Sequence, residues 1–179
     1  GIDAAEVEDV VAGCVQQYGE QSINVARNAW LAAGLPVEVP ATTVDRQCGS
    51  AQQSVNFAAS QIAAGVNDVV GGGGVEHLGH VPMLVGIKWA DEVGVPFSPA
   101  LMSRYDLVPQ GLSAEMIADR WDISRTELDE LGARSQQRAV AATEEGRFAR
   151  EMIPWELDGE TVTADQGLRP GTTVEGLAE

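Results

Sequence analysis

Cysteine and histidine are scarce in this 179-residue chain, which contains only two residues of each type. The two cysteines, Cys14 and Cys48, form no Cys-x-x-Cys pair, which argues against a zinc ribbon and a dithiol redox centre. No apolar run approaches the roughly 20 residues that cross a bilayer, and no signal-peptide pattern opens the sequence. These absences predict a cytoplasmic protein with two free thiols and no membrane partner.

Positive charge is also in short supply, because 11 basic residues stand against 27 acidic ones and the net charge is −16. The phosphates of a nucleic acid would be repelled by this field, so no nucleic-acid partner is expected. A solvated acidic surface that aids solubility is the simplest interpretation. A small phosphate-bearing ligand stays compatible with the charge, since a few local arginines can outweigh the average field.

The first half of the chain alternates short apolar runs with helical patterns. Strands are predicted at 10–15, 41–44 and 68–74. Helices are predicted at 22–34, where the opening serine is the expected N-cap, and at 50–64. The second helix is small or apolar nearly all round, which predicts burial on all sides. This order favours a layered α/β fold with largely parallel strands.

The second half is predicted to be mostly helical, after a proline-containing stretch at 78–110 that is expected to cover a functional site. Helices are predicted at 113–121 and from Ser124, which forms a capping box with Glu127. The apolar face of the latter helix is predicted to contain Leu128, Leu131, Ser135, Ala139 and Ala142. We expect a partial α/β domain at 1–77 and a loop domain at 78–179.

Cys48 lies where the strand at 41–44 leads into the helix that begins at Ser50. The free N–H groups and the dipole of a helix start favour an anion, and therefore a reactive thiolate. Gly49 leaves space beside the sulfur, and the N–H of Cys48 is placed to stabilise an oxyanion. An inert buried thiol is the alternative interpretation of Cys48, and it is the favoured one for Cys14, which lies within a strand.

Two further features invite functional interpretations. His77 and His80 could supply the base that a cysteine nucleophile needs, or bind a metal. Ordinary polar loop histidines are the favoured interpretation, because a third metal ligand is not evident in the sequence. The glycines at 71–74 lack GxGxxG spacing, so close backbone approach near the end of a central strand explains them better than an unrelated nucleotide-binding module.

Four ordered stretches resemble thiolases, and together they cover essentially the whole chain. The segment Asp45–Gln53, which reads DRQCGSAQQ, resembles the acylated-cysteine motif of that family. The other similar stretches lie at 72–76, 110–115 with 123–139, and 146–154 with 169–173. The resemblance implies a thiolase-like layered α/β fold, half of a doubled αβαβα sandwich, with a mostly helical loop domain.

The same resemblance implies a CoA-dependent acyltransferase of lipid metabolism, active in fatty acid or steroid β-oxidation. The reaction would be thiolysis of a 3-ketoacyl-CoA to acetyl-CoA and a shortened acyl-CoA, or the reverse Claisen condensation. Cys48 would carry the acyl group, Gln110 would line the pantetheine tunnel and Arg169 would lie near the CoA nucleotide. Coenzyme A would be a substrate, no separate cofactor or metal is expected, and a homodimer or homotetramer is the default assembly.

Two family motifs have no counterpart in the chain: a Gly-His-Pro histidine and a second cysteine in a Cys-Gly-Gly-Gly-like sequence. His77 and His80 match neither motif. Both chain ends also fall inside family motifs, so we expect a portion of a longer thiolase, truncated at both ends and inactive alone. The alternative hypothesis is a non-catalytic thiolase-like subunit that binds acyl-CoA or a protein partner.

Overall fold

The computed structural model describes residues 1–178 and divides the chain into two compact units. The first unit is Gly1–Ser103, and the second begins at Arg104. Among the described residues, every helix is too short or too polar to span a bilayer.

A parallel three-stranded sheet with the order β2-β1-β3 forms the first unit. Its strands are β1 (Asp9–Gly13), β2 (Ala41–Val44) and β3 (Val70–Gly74). The helix α1 (Val25–Ala32) connects β1 to β2, and α2 (Ser50–Ala63) connects β2 to β3. The parallel pairing and the helical connections confirm the predicted α/β class.

Strand β1 is the centre of this sheet and of its core. Val10 pairs with Ala41 of β2 on one side and with Gly71 of β3 on the other. Val11 is 2% exposed, and Cys14, directly after the strand, is 1% exposed. The prediction that the glycine-rich strand is central is therefore wrong for the described residues, because β3 is an edge strand.

Helix α1 begins later than the sequence pattern predicts. Ile23 and Asn24 have left-handed φ angles of 54° and 60°, so the chain cannot be helical from Ser22. Asn24 is the N-cap instead, and its side-chain oxygen accepts a hydrogen bond from the N–H of Arg27. The hydroxyl of Ser22 donates to the carbonyl of Gly19, 2.6 Å away, in the preceding 3-10 turn.

Helix α2 is buried on one face only. That face contains Ser50, Ser54 and Ala58, whereas Val55 and Phe57 are 47% and 42% exposed. The prediction of burial on all sides is wrong for the described residues, because only one side of the helix meets the sheet. The apolar opposite side is not covered by any of the residues that the structure describes.

Residues 78–103 fold into short helical pieces within the first unit. These are a 3-10 turn at Val85–Trp89, α3 (Ala90–Val93) and α4 (Pro99–Met102). Gly86 packs so closely on Tyr18 that a Cβ there would lie 2.2 Å from the phenolic oxygen. The compact units consequently divide after Ser103 rather than after residue 77, and the assignment of a loop domain to 78–179 stays a prediction.

The second unit contains two long helices, α5 (Gln110–Trp121) and α6 (Arg125–Glu144). A hairpin of β4 (Trp155–Leu157) and β5 (Glu160–Val162) and the short helix α7 (Val174–Leu177) follow. The predicted capping box is confirmed: the Ser124 hydroxyl accepts from the N–H of Glu127, and the Glu127 carboxylate accepts from the N–H of Ser124.

The buried face of α6 differs from the predicted one. Asp129 and Ala133 are buried, whereas Leu128 and Leu131 are 40% and 54% exposed. Small residues decide this packing, because a Cβ at Gly132 would lie 3.1 Å from the Leu177 side chain. Helix α7 therefore packs against the side of α6 that contains Gly132. The pattern of apolar residues in the sequence does not by itself identify that side.

Candidate active site

Cys48 lies in the short turn between β2, which ends at Val44, and α2, which begins at Ser50. Gly49 is the N-cap of α2, so Cys48 immediately precedes the cap rather than lying in the first helical turn. Its side chain is exposed. The predicted strand-to-helix placement is confirmed, and the thiol is open to reactants from solvent.

Hydrogen bonds from its neighbours hold this turn in place. The Ser50 hydroxyl accepts from the N–H of Arg46 at 2.9 Å and donates to the carbonyl of Gln47 at 2.6 Å. The Asp45 carboxylate accepts from the N–H of Gln47 at 2.7 Å. The Asp-Arg-Gln-Cys-Gly-Ser sequence thus supplies its own turn contacts, because short polar side chains readily bond nearby backbone groups.

Backbone strain is stored directly beside the thiol. Gln47 has a left-handed φ of 49°, an unusual conformation for a residue with a side chain. Such strain costs about 1–3 kcal/mol and persists only where the surroundings enforce it. Here it turns the chain sharply, so that Cys48 projects from the carboxyl edge of the sheet.

Glycines on two strands allow α2 to start against the sheet. A Cβ at Gly13 of β1 would lie 2.3 Å from the carbonyl carbon of Ser50. A Cβ at Gly74 of β3 would lie 2.9 Å from the Cβ of Ala51. The interpretation of the glycine run as a place of close approach is therefore confirmed at Gly74, and these contacts fix the start of α2 next to Cys48.

Cys14 has the opposite environment. It is 1% exposed, and burial raises the pKa of its thiol, with a further increase from the negative charges of Glu76 and Asp45. The thiol therefore stays neutral at physiological pH and shielded from reactants. The burial confirms the predicted core position of Cys14, and its inertness stays a prediction.

A polar network that the sequence did not reveal holds the loop after β1. The Glu76 carboxylate accepts from the N–H groups of Val15 and Gln16, at 2.8 and 3.0 Å. It also accepts from the side-chain amide of Gln21, which is 3% exposed and whose oxygen accepts from the N–H of His77 at 2.6 Å. The only sequence signal is a carboxylate at the end of a glycine-rich strand.

His77 and His80 both point toward Glu20. The Nδ1 atom of His80 lies 2.8 Å from a Glu20 carboxylate oxygen, within hydrogen-bond distance, and the Nδ1 atom of His77 lies 3.7 Å from the same oxygen. Within residues 1–178, neither histidine is hydrogen-bonded to Cys48. The two rings stack on each other with centroids 4.5 Å apart. The described contacts therefore give them no part in the Cys48 turn.

Gln110 and Arg169 belong to the second unit, whereas Cys48 belongs to the first. Gln110 is the exposed first residue of α5. The N–H of Arg169 donates to the Gln136 side chain at 2.8 Å, and its guanidinium donates to the carbonyl of Leu168 at 3.0 Å. Arg169 lines a cavity of about 400 Å³ together with Pro170, Gly171, Thr172, Thr173, Gly176 and Leu177.

A model of the thiolase N-terminal domain matches residues 1–179. The chain belongs to the thiolase family. It is 47% identical over 185 residues to a 3-ketoacyl-CoA thiolase of Vibrio cholerae, covering 99% of this chain and 46% of that protein. It is 46% identical over 183 residues to one from Pseudoalteromonas translucida, with the same two shares. The chain thus spans about half the length of these curated relatives.

Membership of the thiolase family confirms the resemblance stated from the sequence motifs, and with it the predicted thiolase-like α/β class. The described geometry adds the environment of the candidate nucleophile: an exposed thiol, a strained turn and a helix start held by glycine contacts. The roles of Gln110 and Arg169 in binding CoA stay predictions.

Proposed function

We propose that this thiolase chain contributes the acylated nucleophile, Cys48, of a CoA-dependent acyltransferase. The reaction is thiolysis of a 3-ketoacyl-CoA to acetyl-CoA and a shortened acyl-CoA, or the reverse Claisen condensation. One observation carries the proposal: Cys48 is an exposed thiol on a strained turn, two residues before Ser50, the first residue of a 14-residue helix.

In the thiolysis direction, the Cys48 thiolate attacks the keto carbon of the substrate. The bond between that carbon and the adjacent methylene breaks, and the released acetyl-CoA carbanion takes up a proton. The acyl group stays on sulfur as a thioester. A second CoA thiol then gives up its proton and attacks the thioester, which frees the thiolate and releases the shortened acyl-CoA.

The turn supports both steps through charge stabilisation. The partial positive charge at the start of α2 lies two residues from Cys48, next to the place where negative charge develops during both steps. The N–H groups of Arg46, Gln47, Gly49 and Ser50 all take part in the turn's own hydrogen bonds. We assign the N–H of Cys48 to the oxyanion that forms during attack.

The proton transfers belong to groups that we expect from two thiolase motifs, the Gly-His-Pro histidine and the second cysteine. Neither motif occurs in these 179 residues. The chain's own contribution is the nucleophile, its activation and the oxyanion donor.

Arg169 and Gln110 are proposed to contact CoA. In a chain with a net charge of −16, an exposed arginine is a rare cation for the nucleotide phosphates. Its backbone is tied to Gln136 of α6, and it borders a cavity, which supports a ligand contact. Gln110 at the start of α5 is proposed to line the pantetheine path.

We further propose a cytoplasmic homo-oligomer that acts in acyl-chain β-oxidation. Both cysteines are free, which suits a reducing compartment. The exposed apolar residues of α2, among them Val55, Phe57 and Ile62, are compatible with burial in an assembly.

The proposal is tested with the full-length gene product, by measuring acetyl-CoA release from acetoacetyl-CoA in the presence of CoA. Cys48→Ser is expected to lower kcat roughly 10³-fold or more, because the nucleophile is removed. Cys14→Ala is the matched control and is expected to stay active. An active Cys48→Ser variant would refute the proposal, and CoA binding without turnover in the wild type would favour a non-catalytic acyl-CoA-binding subunit.

A further inference from the structure

Three metal-ligating side chains converge on the surface of the first unit, away from the contacts of the Cys48 turn. They are Glu20, His77 and His80, and one ligand atom from each lies within 4.8 Å of the others. The two Nδ1 atoms face the same Glu20 oxygen, at 3.7 and 2.8 Å. Their side chains are 56–65% exposed, so an ion can reach them directly from solvent.

The spacing fits a single transition-metal ion. Two ligand atoms that each lie about 2.0–2.2 Å from a tetrahedral zinc are separated by roughly 3.3–3.6 Å. The separations of 2.8 and 3.7 Å from the Glu20 oxygen bracket this range, and the two histidine ligand atoms lie within 4.8 Å of each other. The set of two imidazoles and one carboxylate is also one that zinc and its neighbours in the first transition row favour.

The backbone segments that carry the ligands are locked together by buried contacts. Glu20 lies in the 3-10 turn Gly19–Gln21, next to Gln21, whose side-chain oxygen accepts from the N–H of His77. His77 and His80 stand at the two ends of one hydrogen-bonded turn, in which the N–H of His80 donates to the carbonyl of His77 at 3.1 Å. The ligands are thus positioned before any ion binds, which lowers the entropic cost of assembling the site.

Stacking fixes the orientation of the two histidine rings relative to each other. Their centroids are 4.5 Å apart and their planes differ by only 22°, so both Nδ1 edges face Glu20 together. The acidic field of the chain further favours a cation at this surface. A histidine–glutamate hydrogen bond alone would use one ring, and it does not account for the second ring turned to the same oxygen.

We propose that Glu20, His77 and His80 bind one divalent transition-metal ion of the zinc class, with the remaining coordination positions filled by water. The ion joins the turn that follows β1 to the turn that follows β3. Metal binding therefore stabilises the carboxyl edge of the sheet, from which Cys48 also projects, without entering the acyl-transfer chemistry.

The test uses the full-length gene product, stripped with a chelator and titrated with Co²⁺ and Zn²⁺. Co²⁺ is followed by visible absorption, and Zn²⁺ by calorimetry and thermal unfolding. We expect one saturable ion per chain and a higher Tm with metal, because only the folded state holds the site. Glu20→Gln, His77→Asn and His80→Asn are each expected to weaken binding by at least about tenfold.

Cys48→Ser is the control that removes the one exposed thiol in the chain's described part, and it is expected to leave the binding unchanged. Circular dichroism of each variant establishes that it folds, and substitutions at these three exposed positions are expected to disturb packing little. The proposal is overturned if the wild type binds no ion, if the three variants bind as tightly as the wild type, or if Cys48→Ser alone abolishes binding.

Discussion

At the scale of single residues, the two cysteines differ in whether their surroundings leave the thiol open to reactants. Cys48 stands exposed beside the strained Gln47, whereas Cys14 is enclosed in the core beneath the Glu76 network. The same side chain is therefore open to reactants in one position and shielded from them in the other. Burial and nearby negative charge raise the pKa of Cys14, which further suppresses its thiolate.

We predict that alkylation separates the two thiols clearly. With iodoacetamide at neutral pH, the native protein is expected to be modified at Cys48, while Cys14 reacts only after denaturation. Peptide mass mapping over a time course provides the measurement. Comparable rates at both positions would show that the core around Cys14 opens readily.

The residues of the site differ in how far the sequence predicts them. Cys48 is predictable because its signal is local: a strand, a cysteine and glycine pair, and a helix follow one another. Gln21 and Glu76 are not, because their contacts join positions 55 residues apart and involve ordinary polar residues. Glu20 as a third potential metal ligand was missed for the same reason, since 60 residues separate it from His80.

At the scale of elements, the start of α2 is positioned by two glycines, which have no side chains to keep the helix away from the sheet. Gly13 and Gly74 leave room at the ends of β1 and β3, and the helix start occupies it. Sequence patterns predicted the three strands of the first unit to within about two residues, and the two long helices of the second unit, but they did not predict the hairpin of β4 and β5. They failed for the buried faces of α2 and α6, because those faces depend on which neighbour covers each side.

Gly13→Ala is predicted to displace the start of α2 and to lower both stability and thiolysis. The new Cβ would lie 2.3 Å from backbone atoms that cannot rotate away. Overpacking of this kind typically costs about 1–3 kcal/mol, measurable as a lower midpoint of urea unfolding. Gly73→Ala is the matched control, because nothing lies within 4 Å of its Cβ position. Equal stability of the two variants would contradict the role assigned to Gly13.

The capping box of α6 is predicted to add a pH dependence. Hydrogen bonds from the backbone and side chain of Ser124 hold the pKa of Glu127 below its usual value. Because the folded-state pKa is lowered, the contribution is complete above the ordinary glutamate value of about 4.3 and is lost as pH falls through the folded-state value.

Glu127→Gln keeps a capping partner but removes this titration, so its Tm is expected to fall less than that of the wild type between pH 6 and pH 3. Thermal unfolding followed by circular dichroism makes the comparison. Glu130→Gln, exposed on the same helix, is the control and is expected to follow the wild-type curve. Identical curves of Tm against pH for all three proteins would show that Glu127 does not contribute to the loss of stability in acid.

At the scale of the whole molecule, the family assignment and the geometry point to the same residue. Thiolase membership rests on the full chain, and the described turn provides an exposed thiol at the position where the motif predicts one. The side of α2 that is turned away from the sheet contains the exposed apolar residues Val55, Phe57 and Ile62. The central claim is nevertheless local: Cys48 carries the acyl group.

Mass spectrometry of the acyl-enzyme tests that claim most directly. The full-length gene product is incubated with acetoacetyl-CoA, quenched in acid and digested, and the same sample is then treated with free CoA before a second analysis. The account predicts one acetyl group on the peptide that contains Cys48, and its removal by CoA. A protein that acquires no adduct, or one that carries it on another residue, would contradict the account.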